Sequence, residues 1–254
     1  MLALHNLAVH RLLPAPADAA MNLLTAAGLT AYARRAGCSD GDLGIRAADA
    51  AAGLRLGLAA AAVAAGGVAL AASLPATRPF FQDRRVTAVG RREAAYHLAV
   101  RIPLATALAE ELAFRGALLA LLRQRRSRAV AVAWTSLLFG ASHVLPTLRH
   151  YDGNPASGLV ADPGRGRRIA VLGTTLSTAG AGCLFAWLRL RSRSLVAPVL
   201  AHAATNVSAY LAGRWLAHRA EAVPGSRPQA GGLDPAGATT TGMPLRTALP
   251  ESSS

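Results

Sequence analysis

The hydrophobic positions of this chain come in long uninterrupted runs, not in the alternating or striped patterns of soluble strands and helices. Leu56 to Leu74, Ile169 to Leu188 and Ser194 to Gly213 each hold about 20 residues without a formal charge. Ala129 to Leu145 is slightly shorter and uncharged apart from His143. Soluble core helices seldom run so far without a polar face, whereas a spanning helix needs roughly 20 mostly apolar residues. The pattern predicts an all-α, polytopic membrane protein. About six transmembrane helices are expected, over roughly 18–33, 50–74, 94–122, 129–145, 169–188 and 194–215.

Finer signals fill in this outline. Gly66-Gly67 in the second span would allow close helix packing, and Pro103 in the third predicts a kink. The Gly- and Pro-rich stretch 146–168 reads as a loop long enough to act as a lid or to lie on the surface. The chain divides into N-terminal spans and a basic loop over 1–93 and a helical core over 94–217. A tail over 218–254 lacks hydrophobic periodicity and is expected to be disordered. The N-terminus lacks a basic n-region and a cleavage pattern, so no removable signal peptide is expected.

One span breaks the apolar rule. Leu98 to Leu122 carries Ala109-Glu110-Glu111-Leu112-Ala113-Phe114-Arg115-Gly116. A charge at a helix centre costs about 2.5–3.5 kcal/mol on insertion scales, so two adjacent carboxylates there need a reason. Glu111 and Arg115 stand four residues apart with the acid first, the favourable order for an ion pair. Glu110 points about 100° away and has no such local partner. One acid is therefore read as structural and the other as free for chemistry.

Composition changes the picture little. The formal net charge is +14, and all 27 basic residues are Arg. They gather at the ends of apolar runs with almost no aromatic interleaving, which points to anionic headgroups of the bilayer as the partner and excludes nucleic acid. Basic turns after the third span (Arg123 to Arg128) and the fifth (Arg189 to Arg193) share one side if six spans are right. The opposite loops carry nearly as many arginines, so the bias does not set an orientation. Cys38 and Cys183 have neither metal nor redox spacing.

Two further polar features lie on later spans. Phe139-Gly140-Ala141-Ser142-His143 places Phe139 and His143 one turn apart, and His202-Ala203-Ala204-Thr205-Asn206 does the same for an imidazole and an amide. At about 1.5 Å per residue, Glu110 lies roughly 20 Å from the Arg123 turn and His143 about 22 Å from Arg128. His202 and Asn206 lie about 13 and 20 Å from Arg193. These depths overlap. A carboxylate with an imidazole can hold and deprotonate a water in a low-dielectric pocket, and a second imidazole with an amide can donate to an oxyanion. Glu110, His143 and His202 also match a catalytic zinc set in number, although not as a His-Glu-x-x-His helix. Zinc-dependent and cofactor-free water activation both stay open.

The ordered trio Glu110-Glu111-x-x-x-Arg115, Phe139-x-x-x-His143 and His202-x-x-x-Asn206 resembles the type II CAAX prenyl protease and bacteriocin-processing (CPBP, or Abi) family. The match covers roughly Pro103 to Tyr210. The resemblance implies a multi-pass intramembrane endopeptidase, described in this family as a metalloprotease, with its site in the last four spans. It implies that Glu110 and His143 activate water and that His202 and Asn206 form the oxyanion hole. Glu111 and Arg115 would support the site and Phe139 would shape it. The expected substrate is a membrane-associated peptide or protein, and the lysine-free, alanine-rich chain looks bacterial and destined for the cell membrane. The alternative is a non-catalytic immunity or scaffold protein of the same fold.

Overall fold

The computed structural model describes residues 15–83, 86 and 88–221; of the tail expected over 218–254, residues 218–221 continue the last helix and the remainder lies outside the described residues. All regular structure among the described residues is helical. Helix α1 covers Ala15–Arg35, and a one-turn α2, Asp40–Leu43, follows it. Helix α3 is Ala50–Ser73. Helix α4 runs over 91–123 as α-helical ends and a central turn, Ala109–Glu111, joined by π-helical stretches His97–Leu108 and Leu112–Leu118. Helices α5 (Arg128–Ser142), α6 (Val144–His150), α7 (Pro163–Ser192) and α8 (Val196–Glu221) complete the bundle.

The starts of these helices are written locally. Ser39 accepts from Asp42 N while Asp42 accepts from Ser39 N, a reciprocal box that nucleates α2. Ser127 caps α5 through Val130 N, and Asp162 caps α7 through Gly164 N and Arg165 N with Pro163 in the first turn. At the other end of α7, Arg193 adopts φ 58°, a left-handed position that glycine usually fills. A side chain there costs roughly 1–2 kcal/mol. Arg189, fully buried near that end, donates to Gly41 O at 2.9 Å and Asp42 O at 2.7 Å, and Leu195 N donates to Gly44 O at 2.8 Å. The α7–α8 turn is thereby tied to the α1–α3 connector.

Three helical segments are long and apolar enough to cross a membrane: Asp40–Ser73, Arg128–Gly153 and Pro163–Ser192. Helices α1, α4 and α8 are not among them, so the count of six is not established by hydropathy. In α4 and α8 the reason is chemical, because Glu110, Glu111, Arg115, His202 and Asn206 lower the apolar character of their own helices. The surface fits lipid. Val63, Leu70, Trp134, Leu137, Leu172 and Leu176 are each more than half exposed, while Glu111, Arg115, Thr135, Ser136 and His202 are buried. This is a membrane protein.

Where helices meet closely, small residues make room. A Cβ on Gly57 of α3 would lie 2.9 Å from Ala197 Cα of α8, and one on Gly53 would lie 2.5 Å from Ser194 Oγ. A Cβ on Gly140 of α5 would lie 2.5 Å from Thr175 O of α7. Gly66 and Gly67, which would allow such a contact, face open space with nothing within 4 Å of an added Cβ. The predicted loop over 146–168 is also shorter than expected. Its first residues belong to α6, two 3₁₀ turns cover Tyr151–Gly153 and Pro155–Leu159, and α7 starts at Pro163. Pro103 sits inside the first π-helical stretch.

Candidate active site

Site assembly starts on α4. Glu111 and Arg115 are completely buried, and Arg115 Nη1 donates to Glu111 Oε1 at 3.1 Å. The guanidinium is boxed by aromatic faces, its Cζ lying 4.1 Å from the Phe139 ring centroid, 5.4 Å from Phe185 and 5.7 Å from Phe114. Arg115 Nε and Nη2 have no hydrogen-bond partner among the described residues, so ring faces take the place of acceptors. Gly182 of α7 leaves space for this head: a Cβ there would lie 2.9 Å from Arg115 Nη2.

His202 of α8 reaches the same carboxylate. Its Nδ1 donates to Glu111 Oε1 at 2.9 Å, and its ring stacks on Phe185 with centroids 5.0 Å apart. A carboxylate flanked by Arg115 can only accept, so the proton is on Nδ1 and Nε2 is directed elsewhere. That Nε2 lies 3.9 Å from Glu110 Oε2, beyond hydrogen-bond reach. Glu110 itself is one-third exposed, yet Oε2 is shielded and has no hydrogen-bond partner among the described residues.

Glu110 and His143 both line a cavity of about 960 Å³. His143 terminates α5, where φ −88° and ψ −6° break the helix before α6 begins. Its Nδ1 donates to Phe139 O at 2.8 Å, so Nε2 carries the lone pair. The Phe139 ring stands edge-on to His143 at 4.9 Å and to His202 at 6.0 Å, filling the space between the imidazoles.

The structure thus groups Glu110, Glu111, Arg115, Phe139 and His202, and sets His143 on the cavity beside Glu110. Asn206 is half-buried one turn beyond His202, makes no side-chain hydrogen bond among the described residues, and does not line the cavity. A catalytic zinc needs at least three protein ligands. No three His, Cys, Asp or Glu side chains among the described residues are grouped to hold a metal ion, so the residues as placed do not form that set.

Other wall residues escaped the sequence reading. Asn22 and Thr25 come from α1, outside the expected 94–217 core, and α1 packs through Ala26 against Ala109, Ala113 and Phe114. Arg149 of α6 also lines the cavity, with Nη1 and Nη2 buried and without hydrogen-bond partners among the described residues. The only advance signal for Arg149 was an arginine between two apolar spans, which reads equally well as a headgroup anchor.

Neither curated proteins nor solved structures give a match to the chain. Residues 93–208, which contain all three polar motifs, match the family model described as type II CAAX prenyl endopeptidase Rce1-like, and over that stretch the chain is similar to this family.

Proposed function

We propose that the protein is an intramembrane endopeptidase that hydrolyses a peptide bond of a membrane-associated protein or peptide, in a bacterial cell membrane crossed by about six helices. The observation that carries this reading is the unequal fate of two adjacent acids. Glu111 is consumed by Arg115 and His202, whereas Glu110 presents an unpartnered oxygen beside a cavity that His143 shares.

In this reading a water sits between Glu110 and His143 Nε2. Glu110, in a low-dielectric wall, takes its proton as the water attacks the scissile carbonyl, and His143 orients the nucleophile. The tetrahedral intermediate then collapses as the proton passes to the leaving amine. Glu111 fixes the His202 ring. In its protonated form His202 Nε2 becomes a donor to the oxyanion, with Asn206 joining it once substrate is bound. Arg149 supplies a counter-charge to an anionic group of the substrate.

The test compares membrane peptides in cells carrying wild-type protein with cells carrying Glu110→Gln at equal membrane abundance. A cleaved product present only with the wild type supports the proposal. Identical peptide profiles would instead favour the non-catalytic scaffold.

A further inference from the structure

A second cleft lies where the three apolar segments begin or end: Asp40–Ser73 and Arg128–Gly153 start there, and Pro163–Ser192 finishes there. Its volume is about 310 Å³, at the lower end of the roughly 300–1,000 Å³ typical of small-ligand sites. Five arginines line it: Arg46, Arg123, Arg128, Arg189 and Arg193. Two carboxylates face them, and both are engaged. Asp49 is held by Arg46 at 2.7 Å, and Asp42 accepts from Ser39 N and Oγ. Arg123, Arg128, Arg189 and Arg193 make no ion pair with a carboxylate among the described residues.

Two details show that this charge is built in. Arg189 is only 2% exposed, and one edge of its guanidinium is fixed by the carbonyls of Gly41 and Asp42, groups that orient it without neutralising it. Arg193 occupies the left-handed position that ends α7, where glycine would be unstrained, and its side chain lines the cleft. Local backbone preference opposes an arginine here.

We propose that this cleft binds a phosphate group, carried by the headgroup of an anionic lipid. Guanidinium forks match phosphate oxygens bidentately, and basic pockets at helix ends on a membrane face suit anionic headgroups. The site is independent of the reading given to the Glu110 cavity.

The test uses the full chain in neutral detergent micelles, titrated in separate arms with phosphatidylglycerol, phosphatidylcholine and inorganic phosphate. Retained lipid is read by native mass spectrometry and stability by the unfolding midpoint. Phosphatidylglycerol is expected to stay bound and raise the midpoint, with phosphatidylcholine at least tenfold weaker because its choline meets the arginines. Arg193→Gly relieves the backbone, so its midpoint without lipid should equal or exceed wild type while phosphatidylglycerol affinity falls about tenfold. Arg123→Gln should weaken binding similarly. Variants that bind phosphatidylglycerol like wild type, or equal affinity for the two lipids, would overturn the proposal. So would inorganic phosphate alone reproducing the full midpoint shift, since a soluble anion would then be the occupant.

Discussion

His202 donates through Nδ1 to the Glu111 carboxylate at 2.9 Å, joining residues 91 positions apart in the chain. Arg115 holds the same oxygen. One carboxylate therefore serves two tasks, and substitutions can separate them. Glu111→Gln breaks a buried ion pair and should cost about 3–5 kcal/mol in thermal or denaturant unfolding. Glu111→Gln combined with Arg115→Met should recover much of that stability. It should not recover activity, because His202 still lacks its orienting carboxylate. A double variant as active per folded molecule as wild type would remove His202 from the proposed mechanism.

Glu110→Gln tests the proposed base. No hydrogen bond to Oε2 is lost, so stability should change by less than about 0.5–1 kcal/mol. Turnover should fall roughly 10²–10⁴-fold. Activity and unfolding measured on the same purified samples would show whether the two quantities move apart.

Asn206 gives the sharpest contrast between chemistry and packing. Its side chain makes no hydrogen bond among the described residues, so Asn206→Ala should leave the unfolding midpoint nearly unchanged. If it donates to the oxyanion, kcat should drop about 10²–10³-fold with little change in KM. Asn206→Asp should be at least as damaging, since it replaces a donor with an acceptor. Normal turnover in both variants would take Asn206 off the catalytic list.

Arg149 should act on binding. Arg149 lines the cavity, two of its guanidinium nitrogens are buried without hydrogen-bond partners among the described residues, and a charge-assisted hydrogen bond to an anion contributes about 1.5–3 kcal/mol. Arg149→Gln should therefore raise KM roughly tenfold or more at nearly constant kcat. Esterifying or amidating the acidic group of a cleaved peptide should reproduce that loss in the wild type and add nothing in the variant.

The glycines make a prediction about stability alone. Gly57→Val sets a side chain against the Ala197 backbone, which cannot move aside, and should reduce stability by about 1–3 kcal/mol. Gly67→Ala meets nothing and should be neutral, or stabilising by about 0.8–1 kcal/mol from helix propensity. Paired melting curves in one detergent would test both.

That contrast also marks how far the sequence could be read. The Glu111–Arg115 pair was legible because a helix brings residues four apart together whatever surrounds it. The apolar runs of α3, α5 and α7 were legible from length alone. Which glycines touch a neighbour was not, since α3 is apolar on nearly every side and has no polar stripe to mark its outward face. Gly53 and Gly57 look no different in sequence from Gly66 and Gly67. The His202–Glu111 bond was hidden for another reason: depth along two helices can be counted, but their rotation about their axes cannot. The contribution of α1 to the cavity wall gave no motif at all. The short α6 was masked by the Gly and Pro residues that follow it.

The aromatic box around Arg115 also bears on how the chain is made. Phe114 and Glu111 leave the ribosome with Arg115, on the same helix. Phe139 and Phe185, whose rings at 4.1 and 5.4 Å lie nearer the guanidinium than Phe114 at 5.7 Å, belong to helices translated later. If α4 crosses the membrane as proposed, then until those helices arrive its centre would offer the translocon Glu110, Glu111 and Arg115 with the Glu111–Arg115 pair alone. A nascent chain ending shortly after Arg128 would therefore hold α4 at the lateral gate or outside the bilayer. Its commitment to the membrane would wait for α5 and α7, making insertion of the central helix a joint event with its successors.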